Sequence, residues 1–295
     1  MLDRLLVYWN PKAGGGRSVK VHRLVCQMLE KEHLTYTSTE RAADAARFAE
    51  EGPCTIIAIG GDGTFNYLIN QLPLRDDIVL LPISAGSGND LVRMLHRTLN
   101  PARQLQDALN LGKTRSMDVW KVNKHRFLEA CGMGFDGMVA HRAASLARLF
   151  PSPLRYSLTV ARHIFTAKAF TARVLANGEE VWNGPLFMAS VGNGLFAGGG
   201  YKLWPQAKLD DGEMDVLLIG KINIIQRLLY VLLVRSGAHV KLRVTRYFQT
   251  EKLELHSTQT LKVHTDGEPT EGTTFILEKA GSIRCLGRGW GMDYL

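Results

Sequence analysis

Thr55-Ile56-Ile57-Ala58-Ile59-Gly60-Gly61-Asp62-Gly63-Thr64-Phe65-Asn66 is an apolar run that breaks into three glycines around one carboxylate. The first five residues, apolar or β-branched, predict a buried strand. Phe65, Leu68, Ile69 and Leu72 then carry the spacing of a helix that faces a core. A strand, a glycine-rich turn and a helix N-terminus together favour an anion, because glycine admits close backbone approach and unpaired N–H groups point outward along the helix dipole. The plainer reading of the same residues is a sharp strand-to-helix connection with no ligand.

The design recurs twice. Tyr8-Trp9-Asn10-Pro11-Lys12-Ala13-Gly14-Gly15-Gly16-Arg17-Ser18 follows a strand over Leu5 to Trp9 and leads into a helix for which Ser18 is the expected cap. Ser84-Ala85-Gly86-Ser87-Gly88-Asn89-Asp90 follows a strand that begins at Ile78 and opens a helix over Leu91 to Leu99. Parallel sheets line such junctions along the edge where their strands end, and that edge is the expected active-site rim.

Up to about Gly112 strands and helices alternate, which predicts a doubly wound α/β nucleotide-binding domain over residues 1–112. From Arg115 onward short strands and turns dominate, among them Leu253 to Leu255, Leu261 to His264 and Thr274 to Glu278, interrupted by helices near Gly137 to Ala169 and Ile224 to Ser236. This predicts a larger β-rich, sandwich-like domain over 113–280, with 281–295 returning to the first.

The ordered set Asn-Pro-x-x-Gly from Asn10, Gly-Gly-Asp-Gly-Thr-x-Asn from Gly60, Gly-Ser-Gly-Asn-Asp from Gly86, Asp-Asp-Gly from Asp210 and Asp-Gly-Glu-Pro from Asp266 resembles the diacylglycerol kinase catalytic-domain family, especially its single-chain bacterial lipid kinases. The resemblance runs from Asn10 to Pro269; Ser87 stands where the family more often has Thr, with the hydroxyl kept. It implies an ATP-dependent lipid kinase that uses Mg²⁺. The expected nucleotide contacts are Asn10, Pro11, Lys12, Ala13 and Gly14, then Gly60, Gly61, Asp62, Gly63, Thr64, Phe65 and Asn66, then Ser87, with Thr39 added by the resemblance. Asp62 cannot ligate phosphate directly, since like charges repel, and is expected to hold Mg²⁺ or its waters against the phosphates. The resemblance also implies a structural Mg²⁺ on the Asp211 side chain and the carbonyls of Lys208 and Glu213. It places the acid that deprotonates the acceptor at Asp266 or Glu268. Read alone, Asp266-Gly267 is a hairpin turn signal.

The formal net charge is +8. There is no Asp or Glu from Gly137 to Gly178, where Arg142, Arg148, Arg155, Arg162, Lys168 and Arg173 recur among Leu146, Leu149, Phe150, Ile164 and Phe165. A second acid-free stretch, Val216 to Thr250, holds Lys221, Arg227, Arg235, Lys241, Arg243 and Arg246. Basic amphipathic segments suit an anionic membrane surface. Zinc spacing and a basic run interleaved with stacking aromatics are both absent, so no nucleic-acid partner is expected. The apolar run Ile222 to Val234 is broken by Gln226 and Arg227 and is too short to span a bilayer. Without a signal or lipidation motif, the expectation is a cytoplasmic enzyme with peripheral membrane association, and a homodimer is left open. Cys26, Cys54, Cys131 and Cys285 form no C-x-x-C pair and read as small core residues. Gly192-Asn193-Gly194 and Gly198-Gly199-Gly200 read as a flexible rim or as plain turns. Two other functions stay open at this point: a soluble-substrate kinase of the NAD kinase type, and an inactive nucleotide- and lipid-binding module.

Overall fold

The computed structural model describes residues 4–111, 113–146 and 152–287, with the backbone alone for Leu111 and 152–157. The chain divides into two units, one running to Val119 and resumed from Gly281, the other spanning Trp120–Ala280. The first contains β1 (Leu5–Trp9), α1 (Arg17–Lys31), β2 (Thr37–Thr39), α2 (Ala42–Glu50), β3 (Cys54–Gly60), α3 (Asp62–Ile69), β4 (Ile78–Ser84), α4 (Asp90–Leu95) and α5 (Pro101–Leu111). Strands β2, β1, β3 and β4 lie side by side in parallel, and Arg284 and Cys285 of the final strand add to β4, also in parallel. Every residue of β3 and β4 is buried, as parallel strands covered on both faces require. Val21, Val25 and Leu29 of α1 and Leu105 of α5 pack on Leu5, Val7, Ile57, Ile59 and Leu81. The alternate residues Leu6, Ile56, Ala58 and Leu80 are buried too, on the face that α2 and α3 cover.

Two local expectations fail. Helix α1 is capped by Gly16 at φ 90°, not by Ser18, which is its fully buried second residue and donates from Oγ to the Asn10 carbonyl at 2.6 Å. Helix α4 stops at Leu95 because His96 takes extended backbone angles and is itself buried.

The second unit begins within β5 (Lys113–Val122) and contains β6 (His125–Phe127), β7 (Ala130–Gly134), α6 (Phe135–Ser145), α7 (Ser152–Thr166), β8 (Phe170–Ala176), β9 (Glu179–Gly192), β10 (Met214–Gly220), α8 (Ile224–Val234), β11 (Thr245–Thr250), β12 (Lys252–Thr265) and β13 (Glu268–Gly287). Its strands are antiparallel in the order β11-β10-β9-β7-β12-β13, and β8 also pairs with both β9 and β12, folding the layer over a core that includes Phe127, Met133, Val191, Val216, Leu255, Val263 and Phe275. A second cluster, with Phe135, Val139, Ile164, Leu217 and Tyr230, seats α6, α7 and α8. The two strands read at Leu253 to Leu255 and Leu261 to His264 are one strand, β12, whose register shifts between His256 and Leu261. All four cysteines are free thiols, three of them buried.

Candidate active site

In the first unit, the three glycine-rich loops are tied to one another at the C-terminal ends of β1, β3 and β4. The Gly60 carbonyl accepts from the amides of Ala85 at 2.6 Å and Gly86 at 3.0 Å, joining the second loop to the third. Asn10 joins the first to the second: its amide donates to the Ile59 carbonyl at 3.3 Å and its Nδ2 to Thr64 Oγ1 at 3.2 Å. Arg17 joins the first to the third through the carbonyls of Ala85 and Gly86. Asn10 Oδ1 also accepts from the Lys12 amide at 3.0 Å, and the Ala13 amide donates to the Asn10 carbonyl at 3.0 Å, which winds Pro11 to Gly14 into a tight turn. Gly14 sits at φ 59°, and a Cβ on it would lie 2.0 Å from the Ala85 carbonyl oxygen. Ser87 is exposed on the third loop.

Asp62 opens α3 directly after its Gly61 cap, and Asp90 opens α4. Their carboxylates approach within 4.8 Å. Gly88 lies beside both: a Cβ there would meet Asp62 Oδ2 at 2.6 Å and come 3.8 Å from Asp90 Oδ2. Two hard oxygen donors facing a space that any larger residue at position 88 would fill match what Mg²⁺ takes from protein. Asp90 closes the Gly-Ser-Gly-Asn-Asp motif quoted above but is absent from the contacts expected there.

Two expected nucleotide contacts have other work. Phe65 is fully buried and its amide bonds to the Gly61 carbonyl at 3.1 Å, so it seats the turn instead of lining it. Asn66 is buried and bonded to Asn70 within α3. Thr39 lies next to Tyr8 at the end of β2, where its hydroxyl donates to Asp44 at 3.0 Å and accepts from the Arg41 amide at 3.1 Å.

In the second unit, Asp266 and Gly267, at φ 48° and 87°, make the two-residue turn between β12 and β13, with Thr265 paired to Glu268. The hairpin reading and the acid reading of this tripeptide divide between its residues. Both oxygens of Asp266 are taken by backbone amides, Leu128 at 2.7 Å, Glu129 at 2.9 Å and Ala130 at 2.8 Å, while its own amide donates to the Ala130 carbonyl at 2.8 Å. A carboxylate so committed is a poor proton acceptor. Glu268 is exposed, and partial desolvation with the neighbouring Asp266 charge holds its pKa above the ordinary carboxylate value. Beneath the turn, His264 accepts the Gly267 amide at Nδ1 (3.2 Å) and lies with Nε2 3.3 Å from Asp136 Oδ2, which also accepts Ser190 Oγ at 3.0 Å. Burial pushes the His264 pKa down, but the Asp136 carboxylate more than offsets it; burial likewise acts to raise Asp136, and His264 and Ser190 hold it low.

The family models for the diacylglycerol kinase catalytic domain and for the YegS C-terminal NAD kinase beta sandwich-like domain match residues 4–122 and 130–278. The chain belongs to the diacylglycerol kinase catalytic-domain family. Among its curated relatives, a Pseudomonas aeruginosa protein named "Probable lipid kinase YegS-like" is 30% identical, with 92% of this chain and 89% of the relative covered. A diacylglycerol kinase of Staphylococcus saprophyticus is 27% identical, with 91% and 90% covered. In fold the chain resembles the crystal structure of a diacylglycerol kinase from Bacillus anthracis, with a TM-score of 0.75 at 22% identity over 97% of each chain. It is more distantly similar to an NAD kinase from Archaeoglobus fulgidus solved with ATP, with a TM-score of 0.54 at 13% identity over 96% of this chain and 92% of that one. Members of this family are kinases, and the chain is a kinase of the lipid-kinase type.

Against that family background, the segment Lys208 to Asp215 is the expected structural metal loop. Asp211 Oδ1 accepts from the Glu213 amide at 3.2 Å, and Gln249 reaches both Asp211 at 3.5 Å and the fully buried Asp215 at 3.2 Å. Burial pushes the Asp215 carboxyl up to about 6; hydrogen bonds from Tyr247 and Gln249 pull the other way, and the Asp211 and Glu213 charges add to the rise. Carboxylates that repel one another beside turn carbonyls suit a hard cation. The Gly192-Asn193 rim is not loose: Asn193 is fully buried, accepts Trp120 Nε1 at 2.9 Å and donates to the Leu128 carbonyl at 2.8 Å.

Helix α8 turns an apolar stripe outward. Ile225 and Leu232 are 73% and 74% exposed, Ile224, Leu228 and Leu229 are also exposed, and Phe165 of the adjoining α7 is 64% exposed. Lys168, Lys221, Arg235, Lys241 and Arg243 are exposed as well. Arg227 differs, donating to the Ile164 carbonyl at 2.8 Å and covering the Phe187 ring, so it ties α8 to α7. Arg173 pairs with Glu180, and Arg246 donates to the Val181 carbonyl. Arg148, Leu149, Phe150 and the Arg155 side chain lie outside the described residues. Among the described residues no helix is long and apolar enough to cross a membrane.

Proposed function

We propose that the chain is an ATP-dependent kinase that transfers the γ-phosphate to a hydroxyl of a diacylglycerol-like lipid, acting from the cytosol on an anionic membrane. The loops of Asn10 to Gly14, Gly60 to Thr64 and Ser87 would hold the nucleotide, with glycine allowing the backbone to approach the phosphates beside the positive end of the α3 dipole. Asp62 and Asp90 are the residues that would hold Mg²⁺ there, and Asp211 with the carbonyls of Lys208 and Glu213 would hold the structural ion. Bound Mg²⁺ would neutralise charge on the phosphates as it is redistributed in transfer. The bond from acceptor oxygen to γ-phosphorus forms as the bond from γ-phosphorus to the bridging oxygen breaks and ADP leaves. The acceptor proton passes to Glu268, whose carboxylate is the one in its turn left open to solvent.

The observation that carries the choice of a lipid acceptor is the outward stripe of α8 and Phe165 with its exposed lysines and arginines. A soluble acceptor would need no such surface. Each apolar side chain fully buried in lipid contributes about 1.5–3 kcal/mol, and each basic group near an anionic surface about 1 kcal/mol. The test is transfer of labelled γ-phosphate from ATP with Mg²⁺ into diacylglycerol presented in anionic vesicles, with NAD and a sphingoid base in parallel. Label in phosphatidic acid is the expected result; label in NADP alone would overturn the reading.

A further inference from the structure

The turn that carries Glu268 is held by more than its own hairpin. A two-residue turn leaves the amides of its two central residues outside the strand ladder, and here each has an external acceptor: Asp266 N–H the Ala130 carbonyl, Gly267 N–H the His264 ring. The His264 acceptor is itself fixed. Its Nε2 faces the Asp136 carboxylate on α6, which is in turn held by Ser190 on β9, so the ring is gripped from two other elements. Strand β7 lies between β12 and β9 in the sheet, with Gly132 in register with His264 on one side and Ser190 on the other. A Cβ on Gly132 would lie 2.1 Å from Asp136 Oδ2 and 2.4 Å from His264 Nε2, so position 132 admits only glycine while the pair is in place.

Ser, His and Asp together suggest a nucleophilic triad, but the geometry excludes one. Ser190 is fully buried and donates to the carboxylate, not to the imidazole. The pair points toward the turn instead.

We propose that Asp136 and His264 are positioning residues for Glu268: Asp136 draws the proton of the His264 ring to Nε2, leaving Nδ1 to accept the Gly267 amide and fix the carboxylate one residue further on. This rests on Glu268 serving as the base. A general base must meet its proton within hydrogen-bond reach, and misplacement by about 1 Å costs up to about a hundredfold in rate.

Two substitutions separate positioning from packing. His264→Asn keeps an acceptor close to where Nδ1 lies, whereas His264→Gln keeps a donor toward Asp136 and gives up the acceptor for Gly267. With diacylglycerol in vesicles, H264Q is expected to lose about tenfold or more in kcat at unchanged KM for ATP, and H264N to stay within about threefold of wild type. Equal loss in both variants, or full activity in H264Q, would overturn the proposal. The wild-type ring gives an independent reading through its nitrogen-15 shifts at about pH 8.5, two units above the ordinary histidine value. The expected state is the neutral Nε2–H tautomer with Nδ1 accepting; an Nδ1–H tautomer or a persisting imidazolium would overturn the proposal even if neither variant folds. Because the ring measurement needs no turnover, absence of lipid phosphorylation by wild-type protein would refute the kinase reading and leave the tautomer result to judge the His264 assignment separately.

Discussion

The turns at Asp62-Gly63 and Asp266-Gly267 share a dipeptide and use it in opposite ways. Asp62 opens a helix at the end of a fully buried parallel strand, and its carboxylate faces a second carboxylate, Asp90, beside Gly88. Asp266 sits at left-handed φ in an antiparallel hairpin, where three backbone amides converge on its oxygens. The first arrangement sets two carboxylates side by side, one of them 3.7 Å from the Arg93 guanidinium; the second neutralises a single carboxylate with N–H dipoles. What a carboxylate does is set by which partners the surrounding strands bring to it, and the same two letters in sequence do not reveal that.

The sharpest way to break this contrast is to remove each carboxylate. Asp62→Ala is expected to lower phosphoryl transfer by about a thousandfold or more while the circular dichroism stays that of a folded protein, because it would remove one of the two carboxylates proposed to hold Mg²⁺. Glu268→Gln is expected to lower kcat by about a hundredfold, again without loss of stability. Asp266→Asn should do the reverse. It sets an amide donor against backbone donors and is expected to cost about 2 kcal/mol in urea unfolding, with the residual kcat of folded protein well above that of the Glu268 variant. The smallest effect is expected at the surface: Ile225→Asp should weaken sedimentation with anionic vesicles by about tenfold and leave activity on a short-chain, water-dispersed diacylglycerol unchanged.

Much of the first unit was legible in sequence because β1, β3 and β4 are short, largely apolar and each leads into a glycine-rich loop. The parallel edge and its three loops followed from that punctuation. Ser18 was misread as a cap because its residue type suits one, while the chain instead buries it against the Asn10 carbonyl. The second unit was harder. Strand β13 runs from Glu268 to Gly287, yet only Thr274 to Glu278 stood out, since Gly272 and Gly281 and its exposed residues interrupt the alternation that marks a strand. Asp136 carried no usable signal, and Asp90 and His264 stood inside quoted stretches with no role read for them. Their roles depend on neighbours far away in sequence: Asp136 meets His264 only because α6 packs on β12. Phe65 shows the converse, a residue inside a diagnostic motif whose side chain serves only the core.

The measurement that tests the division of labour most directly is the pH dependence of kcat/KM for wild type, Asp266→Asn and Glu268→Gln. The Glu268 pKa lies above its ordinary value, raised by desolvation and by Asp266. A base is active when deprotonated, so the rate should fall as pH drops through a value above 4.5, the ordinary glutamate figure. This acid limb is expected in wild type, is expected to persist in Asp266→Asn with its midpoint displaced downward as the neighbouring charge is lost, and is expected to vanish in Glu268→Gln. An acid limb that survives in Glu268→Gln and disappears in Asp266→Asn would contradict that division.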